Sequence, residues 1–284
     1  MTRGRLAGVV VAVAAAIVAG VAVSGRGTGS PVAAAATKSA DASTAHIALS
    51  LAVQSPKLAA GKELHVSGSG VVDGASADVT VRLGSLLGAV QAPADAPSSV
   101  RAIVLQQGSD DLAFLHLTPM PALAGGKSWV EVDLSKLASA HGLDLGELVA
   151  GGNAVMPAQM LDLLRKAGAT VTDLGPATVG GTSTTRYRVL LDLAEVAKAA
   201  GLPSALVNEL GTQATRQVPV NVWIGTDGLV HRVRVAYTIE QTHASFTATL
   251  RGYGANVSIS APPSADVLDA TGLLTSLGGI RPLS

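Results

Sequence analysis

The sequence predicts an α+β fold in which a strongly curved antiparallel β-sheet forms a half-barrel and a few short helices cover its concave face. Three observations predict it. Roughly ten stretches alternate apolar and polar residues with period two, Gly/Asp-rich turn signals separate them, and three segments break that period with helical spacing. A sheet of so many strands does not lie flat; it curls, and helices laid over its inner side enclose a space.

The amino terminus comes first. Arg3 and Arg5 precede an uninterrupted small-apolar run from Leu6 to Val23, the basic and hydrophobic regions of an export signal. Eighteen residues at about 1.5 Å each reach roughly 27 Å, close to the hydrocarbon thickness of a bilayer. The run therefore serves either as a retained anchor or as a signal cut after Ala34 or Ala36. Val23-Ser24-Gly25 has the small-residue form of a lipobox, but Arg26 stands where the acylated cysteine belongs, and the chain has no cysteine. The expected organisation is a signal or anchor over 1–24, a flexible Gly/Ala/Ser linker over 25–44, the main folded domain over 45–265 and a tail over 266–284.

From Ile47 the strands begin. Ile47, Leu49, Leu51 and Val53 alternate with small or polar residues, which is the pattern of a half-buried strand. The alternation returns around Leu64 and Val66, in Val79-Val81-Leu83, in Arg101 to Gln107 and in Leu112 to Leu117. Asp73-Gly74 and Gly108-Ser109-Asp110 mark hairpin turns between them. The carboxyl half adds Tyr187 to Leu193, Val218 to Ile224, Leu229 to Ile239 and Ser245 to Leu250, with Thr226-Asp227-Gly228 as the clearest turn.

Three segments are predicted as helices. Pro157 to Gly168 opens with proline, closes with glycine and carries Met160, Leu161, Leu163 and Leu164 on one broad face. The other two lie in an internal repeat. Trp129 to Leu134, followed by Leu137, Ala138, Ala140 and Gly142-Leu143, matches Arg188 to Leu193, followed by Val196, Ala197, Ala199 and Gly201-Leu202, at identical spacing. In each copy a strand ends at an aspartate, Asp133 or Asp192, placed to cap the first free N–H groups of a short helix.

Composition narrows the function. Apolar residues make up 48% of the chain and aromatic ones 2%, so the core is built from Val, Leu, Ile and Ala. Stacking platforms for sugars or single strands need aromatic faces, and twenty basic against twenty acidic residues give no field for a polyanion. Nucleic acid is therefore not an expected partner. The six histidines are scattered without metal-ligand pairing, and no nucleophile elbow, phosphate loop or zinc helix motif is present. No catalytic residue, metal or cofactor is expected. Arg186, Arg188, Arg232 and Arg234 alternate on two strands, either as solvated outer charge or as a site for an anionic headgroup.

The carboxyl half carries a resemblance. Thr182 to Val189, the Leu-Asp-Leu helix start, Val218-Pro219-Val220-Asn221-Val222-Trp223-Ile224, the Asp227-Gly228-Leu229-Val230 turn, Tyr253-Gly254, Val257 and Ala261-Pro262-Pro263 resemble, in order and spacing, the actinobacterial LppX/LprG-type lipoprotein family. The strand Gly126 to Asp133 is similar to its counterpart there, and the likeness spans about residues 45 to 265. The resemblance implies a LolA/LolB-like half-barrel whose apolar cavity carries an acylated lipid or glycolipid between membranes. The missing lipobox cysteine departs from the family.

Such a carrier answers a physical need. A sixteen-carbon chain leaving a bilayer for water costs on the order of 12 kcal/mol, so free transfer is very slow. The residues expected to line the cavity are Leu49, Leu51, Val79, Val81, Val104, Val189, Leu191, Val233, Val235 and Phe246, with Met160, Leu163 and Leu164 from the covering helix. Further expected partners are the cell membrane, through the amino-terminal segment, and an envelope protein if the fold acts instead as an extracytoplasmic sensor. The expected location is the cell envelope, on the extracytoplasmic face of the membrane, or outside the cell.

Overall fold

The computed structural model describes residues 30–55, 63–74, 76–83, 98–107, 110–116, 126–136, 170–192, 217–239, 241–272 and 275. Twelve strands form one open, curved sheet, the predicted half-barrel. They are β1 (Thr44–Gln54), β2 (Glu63–Asp73), β3 (Ser76–Arg82), β4 (Ser99–Gln107), β5 (Asp110–His116), β6 (Trp129–Asp133), β7 (Thr170–Val179), β8 (Thr182–Asp192), β9 (Gln217–Gly225), β10 (Val230–Ile239), β11 (Thr242–Arg251) and β12 (Val267–Asp269). Their order across the sheet is β12-β6-β5-β4-β3-β2-β1-β11-β10-β9-β8-β7. Two meanders, β1 to β6 and β7 to β11, are thus joined edge to edge where β1 pairs with β11. Every pairing is antiparallel except that of β12 with β6.

Two of these strands escape the period-two reading. β7 contains Asp173, Gly175 and Pro176 and is largely exposed at the sheet edge, so it lacks an apolar alternation. Its signal was the turn: Gly180 and Gly181 both take positive φ, 57° and 87°, as a two-residue hairpin loop requires. β12 is only three residues long, and its pairing partner is distant in sequence.

Two boundaries differ from expectation. Within the stretch read as linker, Pro31–Asp41 forms a helix, α1, with proline in its first turn. It packs Val32 and Ala35 onto β9 and β10, and the Ser39 hydroxyl accepts the buried Val230 N–H at 2.8 Å. Alanine is the best helix former, and a small-residue tract reads as linker only until a sheet face is available to bury it. Cleavage after Ala34 or Ala36 would remove Val32 and Ala33, which are 7% and 2% exposed, from the core. The carboxyl-terminal tail likewise starts inside the domain: β12 extends the sheet, the Ala270 N–H donates to the Glu131 carbonyl, and the Thr271 hydroxyl accepts the Asp133 N–H at 2.9 Å.

Asp133 takes its predicted capping role, its carboxylate accepting the Lys136 N–H at 2.9 Å over the turn 134–136. The repeat's second helix, after Asp192, lies outside the described residues, as does Pro157 to Gly168.

Two hydrophobic clusters sit on opposite faces of the sheet. The face bearing Ile47, Val189, Val220, Val222, Val233, Val235 and Leu250 carries one cluster, to which α1 adds Val32 and Ala35 over β9 and β10. The other face bears Ile103, Leu105, Phe114 and Trp129, with Ile259 and Val267 of the carboxyl-terminal segment packed against them.

Tyr253, just past β11, packs against the first cluster and donates its hydroxyl to the Val230 carbonyl. Burial, with the Asp227 charge adding to it, pushes the phenol up to about 12. A raised acid holds its proton more tightly when folded, so this contribution is whole below the ordinary tyrosine value near 10 and disappears as pH climbs to about 12. The expected loss is about 2–3 kcal/mol across that window. Urea denaturation at stepped alkaline pH should show it for the native chain and show a flatter profile for Tyr253→Phe; identical slopes would contradict the assignment.

Candidate functional site: the concave aliphatic floor

The curvature has a local cause on β2. In Gly68-Ser69-Gly70, both glycines share the face of Ile47 and Leu49 on β1 and of Val79 and Val81 on β3. A Cβ on Gly70 would overlap the Asp78 carbonyl and stand 2.7 Å from the Val79 Cα, and one on Gly68 would stand 3.1 Å from the Thr80 carbonyl oxygen. The backbone of β3 thus occupies the space a side chain would fill, as at a barrel corner. The sheet bends toward that face, which makes the Ile47 face concave.

The concave floor is paved by cross-strand rows. One runs Val189, Val220, Val235, Phe246, Leu51, Val66 from β8 to β2. Another runs Ile47, Gly70, Val79, Ala102, Leu115, Val130 from β1 to β6. A third passes through Val72, Ala77, Val104, Ala113 and Val132. Where polar groups are absent, contact energy comes from apolar area alone, about 25 cal/mol per Å² covered.

Exposure divides this floor. Val189, Val233 and Val235 are 2%, 1% and 4% exposed and belong to the core cluster that α1 joins through Val32 and Ala35. Leu49, Leu51, Val79, Val81, Val104 and Phe246 are only half-buried. The register of Leu191 with Val218 places it in line with the floor, while Met160, Leu163 and Leu164 fall outside the described residues. Ala102, Ala113 and Leu115, also half-buried on the floor, were not singled out from sequence. Their signal was available, because the strand Arg101 to Gln107 puts Ala102 in phase with Val104.

The convex face differs. Over β8 to β11 it presents Arg186, Arg188, Arg232, Arg234 and Arg251 among Ser, Thr and Asn. An open groove of about 540 Å³ lies at one end of it, lined by Gln54, Glu63, Pro219, Arg234, Thr238 and His243. Ala52, Ala236 and Ala244 share its walls with these polar groups, so it lacks the continuous aliphatic lining of the concave floor.

Among the described residues no group of three or more His, Asp or Glu side chains is arranged to hold a metal ion, and no helix is long and apolar enough to cross a membrane. No protein-family model and no curated protein matches the chain. Among solved structures it is similar to the lipoprotein LppX of Mycobacterium tuberculosis, at 16% identity and a TM-score of 0.40 over 78% of this chain and 93% of that one. It is also similar to LprF of Mycobacterium bovis, at 13% identity and a TM-score of 0.38 over 81% and 93%. A DUF1329 family protein of Desulfovibrio piger follows at 14% identity and a TM-score of 0.27 over 76% and 88%.

Proposed function

We propose that the protein is an extracytoplasmic lipid-binding and lipid-transfer protein that holds the acyl chains of an envelope lipid or glycolipid against its concave floor. One observation carries the reading: from Leu49 and Leu51 on β1 across to Leu115 on β5 the concave-face side chains are aliphatic yet only half-buried, whereas Val220, Val222, Val233 and Val235 on β9 and β10, where α1 packs, are buried. An aliphatic concavity left partly open is a place where hydrocarbon gains contacts and water gains none. The acyl-accepting stretch is then centred on Leu49, Leu51, Val79, Val81 and Val104, with Phe246 at the border of the sealed core. The basic, apolar amino-terminal run supports delivery to the envelope.

Native mass spectrometry of the full chain, recovered from a bacterial host with an envelope rich in long-chain acylated lipids, tests this. The expected spectrum contains a species heavier by one acylated lipid, removed by organic extraction. Consistently unliganded protein that also fails to take up a fluorescent fatty-acyl probe would sink the reading.

A further inference from the structure

The convex face of β8 to β10 carries charge in a fixed pattern. Register places Arg186, Trp223 and Arg232 in one row across three strands, and Arg188, Asn221 and Arg234 in the next row on the same face. With strands about 4.8 Å apart and a two-residue step of about 6.8 Å, the four arginines root at the corners of a rectangle roughly 10 by 7 Å. The two centre positions hold the pattern in place. The guanidinium carbons of Arg186 and Arg232 lie 5.1 and 5.8 Å from the Trp223 ring centroid, and Trp223 is only 9% exposed beneath them. Arg186 donates to the Asn221 side-chain oxygen at 3.0 Å, and Arg232 to the Thr249 hydroxyl at 3.3 Å. Arg188 and Arg234 remain exposed.

In the two rows that hold the four arginines no side chain is a carboxylate; on the same face of β8, Asp192 falls two rows beyond Arg188 by register. The Asp227 carboxylate in the β9–β10 turn is engaged by His231 at 3.0 Å, and Glu63, on β2, lines the same groove as Arg234 at the edge of the pattern. The whole chain is neutral, with twenty basic and twenty acidic residues. Among the described residues, four arginines thus stand in two adjacent rows with no carboxylate between them, on the convex face among Ser, Thr and Asn. We propose that this convex arginine face docks on a bilayer surface rich in anionic phospholipids. Several guanidiniums spread over two rows of an exposed convex face match a plane of phosphates, the charge arrangement that a bilayer surface presents. The inference stands on charge and register, independently of what fills the concave floor.

Vesicle flotation of the full chain tests it, using phosphatidylcholine with and without phosphatidylglycerol at low and high ionic strength. Each arginine near an anionic surface contributes about 1 kcal/mol, about five-fold in affinity. The variant Arg188→Gln/Arg234→Gln, which alters only exposed side chains, is expected to bind anionic vesicles about 25-fold more weakly at low salt. Its binding to neutral vesicles, set by the amino-terminal apolar run, should be unchanged, and Arg188→Lys/Arg234→Lys should recover most of the loss. Equal binding of native chain and glutamine variant to anionic vesicles would overturn the proposal. So would retention on soluble polyphosphate without any preference for anionic vesicles, which would make a free polyanion the occupant.

Discussion

Replacing Gly70 with alanine is expected to cost about 3 kcal/mol or more and to lower the urea midpoint sharply, because the new methyl has nowhere to go. The obstacle is the backbone of β3 at Asp78 and Val79, which no rotamer change can move aside. Relief requires β3 to swing away from β2, breaking the ladder that joins the two at the bend. A loss of that size is a large part of the 5–15 kcal/mol that holds an ordinary domain together. Ser69→Ala, one residue away and pointing outward from the exposed convex side, should stay within about 0.5 kcal/mol of the native chain. A Gly70→Ala midpoint equal to that of Ser69→Ala would mean that the sheet does not bend here, and the concave assignment would fall with it.

Replacing Val81 with glutamate is expected to remove acyl binding while leaving the fold standing. Val81 is half-buried on the proposed floor, in register with Gly68 and Val100. A carboxylate there displaces four or so methylene contacts at about 0.8 kcal/mol each and must itself keep water, so the affinity for a fatty-acyl probe should fall by a factor on the order of several hundred. Thr80→Glu supplies the control, since its neighbouring side chain points to the exposed convex side. Probe titration of both variants decides the matter: equal affinities would show that the floor around Val81 is not where hydrocarbon lies.

Much of this fold was legible in the chain. The alternation of Ile47, Leu49, Leu51 and Val53, or of Val218, Val220, Val222 and Ile224, reports a strand with one aliphatic face, because the period of a strand is two whatever lies beside it. The Asp227-Gly228 turn and the Asp133 cap were equally local, each needing only a few neighbouring residues to form. Edges and small-residue segments were not legible. β7 has no apolar face to declare itself, β12 exists only because β6 offers an unpaired edge, and the alanines of α1 become core only against β9 and β10.

By itself, then, the chain determined its strands, its aliphatic interior and the poverty of its polar chemistry, all of which depend on residue type and short spacing. Which face is concave, and which half of that face is sealed, depended on contacts between residues far apart in sequence. Val79 and Val189 carry the same side chain in the same kind of strand, yet one is half-buried on the floor and the other is buried in the cluster that α1 joins. The bend at Gly68 and Gly70 and the docking of α1 on β9 and β10 are tertiary events, and neither leaves a mark in the local pattern around either valine.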